Sequence, residues 1–270
     1  MNITYNNITI PFYDMEQMMI DSPAARSGIK LGPDGLPENI LVSLSGGADS
    51  ASTLYLSCKH YPNIHYYPFT ARDMGNNALK DAIAADKIVK YIQNKFPHAN
   101  LHDIETFDFN DRDPANHVEA QHAIEGKMDL TSMHETDKNE YVKLNIRQMS
   151  KILLIHQICD IMVSKFDKPM MLDGLTGNPP PEALETFGHK GEDRRNHYKN
   201  VVRLKFNRYK PFVNVDKKFV AGIYKENDIM DLFEITRSCT GTAKTTDNYT
   251  KECHKCFWCY ERKWAFDLVW

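Results

Sequence analysis

The sequence has no long apolar run, no excess of one charge and no internal repeat. No stretch approaches the ~20 apolar residues that a membrane-spanning helix needs. The opening MNITYNNITIPFYDMEQ lacks the basic flank and unbroken apolar core of a secretory signal. A cytoplasmic protein with no membrane partner is expected. With 33 Lys and Arg against 36 Asp and Glu, no global field favours nucleic acid or a lipid surface. Two nucleotide signatures are also missing. No glycine-rich loop ends in Gly-Lys-Ser/Thr, and no G-x-G-x-x-G follows a strand, so a P-loop NTPase and a dinucleotide fold both drop out.

What is present alternates between strand and helix. A chain of 270 residues can bury a substantial core unaided. From Ile40 the pattern predicts a strand over 40–44, a glycine turn, a helix over about 50–58 and a second strand over 64–69. The segment NNALKDAIAADKIVKYIQNKF places Leu79, Ile83, Ile88 and Ile92 close to one helical face, with Asn76 or Asn77 as cap, and LHDIETF follows as a third strand. Residues 108–140 are polar and weakly periodic, as an insertion at a sheet edge would be. A strong helix is predicted over 143–166 and a buried strand in MMLDGL. The implied fold is α/β, a parallel five-stranded-type sheet with helices on both faces. The expected domains are a loosely structured lead-in over 1–38, a nucleotide domain over 39–235 and a C-terminal element over 236–270.

Two motifs carry chemistry. The first, LVSLSGGADS, is a buried strand that ends in two glycines, an aspartate and a helix. Small residues let backbone N–H groups approach a ligand, and the helix adds its positive end, a combination suited to phosphate. Ser43, Ser45, Gly46, Gly47, Asp49 and Ser50 are the candidate ligands, with Asp49 placed to orient Mg²⁺ or the loop itself. The second motif is C-terminal. Cys253-x-x-Cys256-x-x-Cys259 shares a cysteine between two C-x-x-C steps, and Cys239 supplies a fourth thiol. Four soft donors close a tetrahedron around Zn²⁺. His254 in place of one thiolate, and an iron–sulfur cluster in place of zinc, are the alternatives.

Ser45-Gly46-Gly47-Ala48-Asp49-Ser50 resembles the SGGxDS loop of the ATP pyrophosphatase superfamily, whose members cleave ATP between the α and β phosphates and transfer adenylate. Taken with Ser238-Cys239, Cys253, Cys256, Cys259, Arg262 and Ala265-Phe266, it is similar to the 7-cyano-7-deazaguanine synthase family. Weaker correspondence runs through Pro211, Lys217 or Lys218, and Thr236. The resemblance implies an adenine nucleotide alpha hydrolase-like, Rossmann-like fold, with ATP, Mg²⁺ and Zn²⁺ as cofactors. It also implies a carbon–nitrogen ligase that adenylates a deazapurine carboxylate, admits ammonia and proceeds through an amide to a nitrile. Asp49, Ser45 and Ser50 are its implied catalytic residues. The family's Tyr-Gly-Gln-x-His-like segment is replaced here by Pro68-Phe69-Thr70-Ala71-Arg72-Asp73-Met74-Gly75.

Other residues have two readings each. Arg147 on the strong helix is a phosphate or carboxylate ligand or a solvated arginine. Asp173 ends a buried strand, where open α/β sheets place ligands. Cys159 is a buried structural thiol, or a sulfur carrier if the chain is instead a tRNA-thiolating relative. Residues 189–210 hold eight Lys or Arg against two acids, which suits RNA phosphates or, as favoured here, a solvated surface or subunit contact. A homo-oligomer is expected. A non-catalytic ATP sensor or subunit, as in a phage or defence system, is the third functional class.

Overall fold

In the computed structural model the described residues are 1–16, 18, 28–73, 78–109, 153–187, 202–203, 207–241, 243–248 and 250–269. Strands β1 (Asn2–Tyr5) and β2 (Ile8–Pro11) form an antiparallel hairpin. Then follow β3 (Asn39–Ser43), α1 (Ala48–His60), β4 (His65–Asp73), α2 (Ala78–Lys95) and β5 (Glu105–Phe109). A helix over 153–164, α3, precedes β6 (Met170–Asp173) and α4 (Pro181–Thr186). The remainder is β7 (Val202–Arg203), β8 (Arg208–Tyr209), α5 (Lys217–Glu226), α6 (Met230–Ile235) and α7 (Phe257–Phe266).

The main sheet has the order β5-β4-β3-β6-β8-β7. Its first five strands are parallel, and only the short edge strand β7 runs antiparallel. The chain builds outward from β3 through β4 to β5, then returns to place β6 on the other flank of β3. That reversal makes the β3/β6 boundary a topological switch point, the position at which open α/β sheets bind ligands beyond the carboxyl ends of their strands.

Side-chain alternation assigns the two faces. Ile40, Val42, Tyr66, Met170 and Leu172 join the larger core with α1, α2, α5, α6 and α7. Leu41, Phe69 and Met171 point the other way and are covered by Ile158, Cys159 and Met162 of α3. β3 is therefore apolar on both faces, as a central parallel strand must be. α1 is buried almost all round, and its hydroxyls are satisfied internally: Thr53 Oγ1 donates to the Asp49 carbonyl at 2.7 Å and Ser57 Oγ to that of Thr53 at 2.8 Å.

The first thirteen residues differ from the loose lead-in expected over 1–38. Asn6 and Asn7 turn the hairpin with φ of 50° and 60°, the left-handed pair that a tight two-residue turn requires. Ile3, Tyr5, Ile10, Phe12 and Tyr13 enter the larger core. The apolar face proposed for α2 holds at Ile88 and Ile92, whereas Ile83 is 44% exposed. β5 runs to Phe109, inside the start of the proposed insertion, and the rest of that insertion lies outside the described residues.

Candidate active site and metal centre

The ladder of β3 extends one residue past the strand, where Leu44 N donates to the Phe69 carbonyl at 2.9 Å. The chain then turns at Gly46, whose φ is +78°. A Cβ there would lie 2.5 Å from the Asp81 carbonyl oxygen, so glycine is needed both for the torsion and for the approach of α2. Gly47 begins α1 with no side-chain cap, which leaves the first-turn amides facing the loop. Ser45 Oγ and Ser50 Oγ lie 3.2 Å apart, and Ser50 Oγ donates to the Gly47 carbonyl at 3.1 Å. Amides and hydroxyls thus gather on one short arc at a helix N-terminus, a natural anion cradle.

Beside this arc is a cavity of about 120 Å³, lined by Ser43 and Ser45 on one side and by Phe69, Thr70, Ile155 and Ile158 on the other. It lies at the carboxyl end of the sheet, roofed by α3, and joins an apolar slot to the polar loop. The register pairs Ser43 with Asp173 across the switch point. Asp173 is held by Arg208 at 3.0 Å, and both side chains are largely buried.

Behind the loop is a buried ionic chain. Lys217 Nζ lies 3.1 Å from Asp49 Oδ2 and 3.1 Å from Glu261 Oε2, and Thr176 Oγ1 donates to Asp49 Oδ2 at 3.4 Å. Lys217 is 3% exposed and Glu261 is fully buried. Burial alone would push the Lys217 ammonium down. The Asp49 and Glu261 carboxylates outweigh it and hold its pKa above that of a free lysine. Gly174 completes the support, since a Cβ there would fall 2.4 Å from Ser50 N. Of the two lysines weakly matched in sequence, Lys217 is therefore the one at the loop. Lys218 lies 4.9 Å over the Trp264 ring. Glu261, Thr176 and Gly174 escaped the sequence reading because they come from elements remote from the loop, Glu261 from α7 and the other two from the segment after β6, and each reads locally as an ordinary surface or turn residue.

The four sulfurs of Cys239, Cys253, Cys256 and Cys259 all lie within 4.8 Å of one another, and His254 is not part of the group. Cys256 and Cys259 Sγ are 3.5 Å apart, Cys253 and Cys259 Sγ 3.9 Å. Backbone N–H groups already donate to the sulfurs, Cys253 N to Cys239 Sγ at 3.1 Å and Cys256 N to Cys253 Sγ at 3.3 Å. The Cys259 thiol beside it pulls the Cys256 pKa down to about 4. A metal ion can be held by this donor set. The cluster is anchored by Arg262, which donates to the carbonyls of Thr236 at 2.9 Å and Phe233 at 3.0 Å.

Two bridges join the centres. Arg237 N, two residues before Cys239, donates to the Gly46 carbonyl at 2.8 Å. The Asp49–Lys217–Glu261 chain ends on α7, the helix that carries Cys259. Cys159 is fully buried, and desolvation raises its thiol to about 11. Arg147 lies outside the described residues, as does most of the basic segment 189–210.

The architecture is an α/β fold of the doubly wound kind, with a possible metal centre in its C-terminal element. No protein-family model matches the sequence, and no curated protein does. Among solved structures, NMN synthetase from Francisella tularensis is similar over 90% of this chain and 81% of its own, at 13% identity and a TM-score of 0.42. The U34-tRNA thiolase NcsA from Methanococcus maripaludis, solved with its [4Fe-4S] cluster, is similar over 93% and 72%, at 14% identity and a TM-score of 0.41. Likeness at this level says nothing about activity. Among the described residues no helix is long and apolar enough to cross a membrane.

Proposed function

We propose that this chain is an ATP-dependent ligase of the ATP pyrophosphatase type. The observation that carries the reading is the union of an apolar slot with an uncapped, glycine-turned anion loop at the carboxyl end of β3. The slot suits a flat base, and the loop suits the β and γ phosphates. The α-phosphate is then left between them, open to in-line attack. Asp49, with Oδ2 fixed by Lys217 and Thr176, is the loop's one carboxylate and would orient Mg²⁺, which neutralises charge on the leaving pyrophosphate.

The acceptor in this reading is a deazapurine-like carboxylate. Its oxygen attacks the α-phosphorus, the bond to the bridging oxygen breaks and pyrophosphate departs. Ammonia then adds to the acyl carbon and AMP leaves, giving an amide. A second round activates the amide oxygen, and loss of AMP leaves a nitrile. Arg147 and Asp173 are proposed to face the acceptor, Asp173 because it sits at the switch point opposite Ser43. Buried Cys159 has the wrong exposure and protonation for a sulfur carrier, which favours ligation over thiolation.

For the cysteine centre we propose Zn²⁺. A tetrahedron with Zn–S bonds near 2.3 Å has sulfur–sulfur edges of about 3.8 Å, matching the 3.5 Å and 3.9 Å pairs. A cubane spreads its thiolates over separate irons and needs a wider cage. The ion would be structural, closing the turn between α6 and α7.

The deciding experiment incubates α-labelled ATP with Mg²⁺, ammonia and 7-carboxy-7-deazaguanine and separates the nucleotides. AMP and pyrophosphate are expected. ADP as the main product would refute the assignment, whereas ATP binding with no product would move the chain to the sensor class.

A further inference from the structure

The buried chain Asp49–Lys217–Glu261 crosses from the phosphate loop to the helix that carries Cys259, and neither lysine nor glutamate touches solvent enough to be there for surface solubility. Two carboxylates share one ammonium, so the position of Lys217 is set jointly by both. Glu261 is two residues beyond Cys259 and one before Arg262, on the first turns of α7. Any ion that fixes Cys256 and Cys259 fixes the start of that helix and therefore the glutamate. Cys256 is the N-cap of α7, so ligation grips the helix at its first residue. Arg237 N to the Gly46 carbonyl, at 2.8 Å, ties the segment between α6 and the cysteines to the loop's turning glycine.

We propose that Lys217 is the positioning residue of the phosphate loop and that Glu261 relays to it the metal state of the cysteine cluster, so that metal and nucleotide bind cooperatively. This rests on the ATP reading above and goes beyond it. Asp49 is held in its working position only when the Lys217 ammonium is drawn by Glu261 as well. Without metal the start of α7 loosens, Glu261 shifts, and Lys217 collapses onto Asp49 alone. Linkage is reciprocal: if metal tightens ATP binding by some factor, ATP must tighten metal binding by the same factor.

The test follows release of Zn²⁺ from the full, metal-loaded chain to a chromogenic chelator, with and without saturating Mg²⁺ and a non-hydrolysable ATP analogue. In the wild type the analogue is expected to lower metal release at equilibrium by about fivefold or more, the lower range of ordinary allosteric coupling. Glu261→Gln and Lys217→Met are each expected to bring that factor below about twofold, with all four cysteines retained. A purely structural role would weaken both affinities and leave their coupling intact, so undiminished coupling in these variants overturns the proposal. Hydrogen exchange on the wild type covers the case in which a variant misfolds. Chelation of the metal is expected to deprotect amides of 45–50 along with those of 239–259, and unchanged exchange at 45–50 overturns the relay. Failure of the wild type to bind the analogue at all, by calorimetry, would instead sink the ATP reading itself.

Discussion

The phosphate loop and the cysteine centre are built on opposite principles. The loop is six consecutive residues whose shape is imposed by neighbouring backbone: Asp81 closes on Gly46, and Gly174 abuts Ser50. It rests on β3 and α1, both buried in the larger core. The cysteine centre is gathered from two separated places, and among the described residues its buried cluster consists of thiols alone. Beyond the two bridges to the loop, it is attached through Arg262 on the carbonyls of Phe233 and Thr236 and the stacking of Phe266 on Phe233 at 4.0 Å. A cradle shaped by its surroundings persists without its ligand. A cluster of like donors takes its stability from what it binds.

The sharpest way to break this contrast is Cys256→Ser. Structural zinc in small domains contributes about 10–16 kcal/mol of apparent binding energy, so losing a ligand should remove metal and several kcal/mol of stability together. Elemental analysis and thermal unfolding read both, and a variant with no metal yet wild-type melting would place the cluster among inert thiols.

Next in size is Asp49→Asn. The amide keeps the volume and leaves Lys217 paired with Glu261, so the fold should survive while turnover falls at least ~10²-fold, as when a charge-stabilising group leaves a preorganised site. Unchanged kcat would remove Asp49 from the chemistry. Gly174→Ala probes the loop's support while leaving every side chain of the ligand arc in place. Its new methyl meets Ser50 N and the Asp49 backbone, an overpacking cost of about 1–3 kcal/mol, and ATP affinity should drop while metal content stays at the wild-type level. Ser45→Ala is the mildest. Backbone amides still face the phosphates, so a loss within about tenfold in ATP affinity is expected from one neutral hydrogen bond, and a larger loss would make the hydroxyl, not the amides, the main contact.

Much of this was legible in local pattern. The strand 40–44 appears as Asn39–Ser43, and the strand proposed in MMLDGL appears as Met170–Asp173. Both are short apolar runs beside glycine, where period and punctuation agree. The hairpin was missed although its signal was present, because Asn6-Asn7 flanked by alternating Ile3, Tyr5, Ile8 and Ile10 is a hairpin pattern in a region read as a loosely structured lead-in. The four cysteines were legible because metal-ligand spacing is a local property. The ionic chain was not. Lys217 and Glu261 are separated by 44 positions and sit on helices whose sequences look amphipathic and ordinary. Only tertiary packing makes a buried pair of them, and no periodicity encodes a partner on another element. The Asp49 contact with Thr176 is the same case, a long-range meeting at the switch point.

The N-terminal hairpin bears on how the protein is made. Asn6 N donates to Glu226, and the Asn227 amide donates to the Tyr5 hydroxyl at 3.1 Å. Gly222 of α5 lies against both hairpin residues, and α5 in turn rests on α7. During synthesis the hairpin must therefore wait for partners some 220 positions later. At ordinary elongation rates of about 5–20 residues per second, that delay is on the order of 10–45 s. Through it the contacts of Tyr5 and Asn6 with the end of α5 stay unmade, although Phe12 can already meet Tyr61, whose hydroxyl donates to its carbonyl at 3.1 Å, so the hairpin docks in two stages, the second set by contacts of large sequence separation, which form slowly.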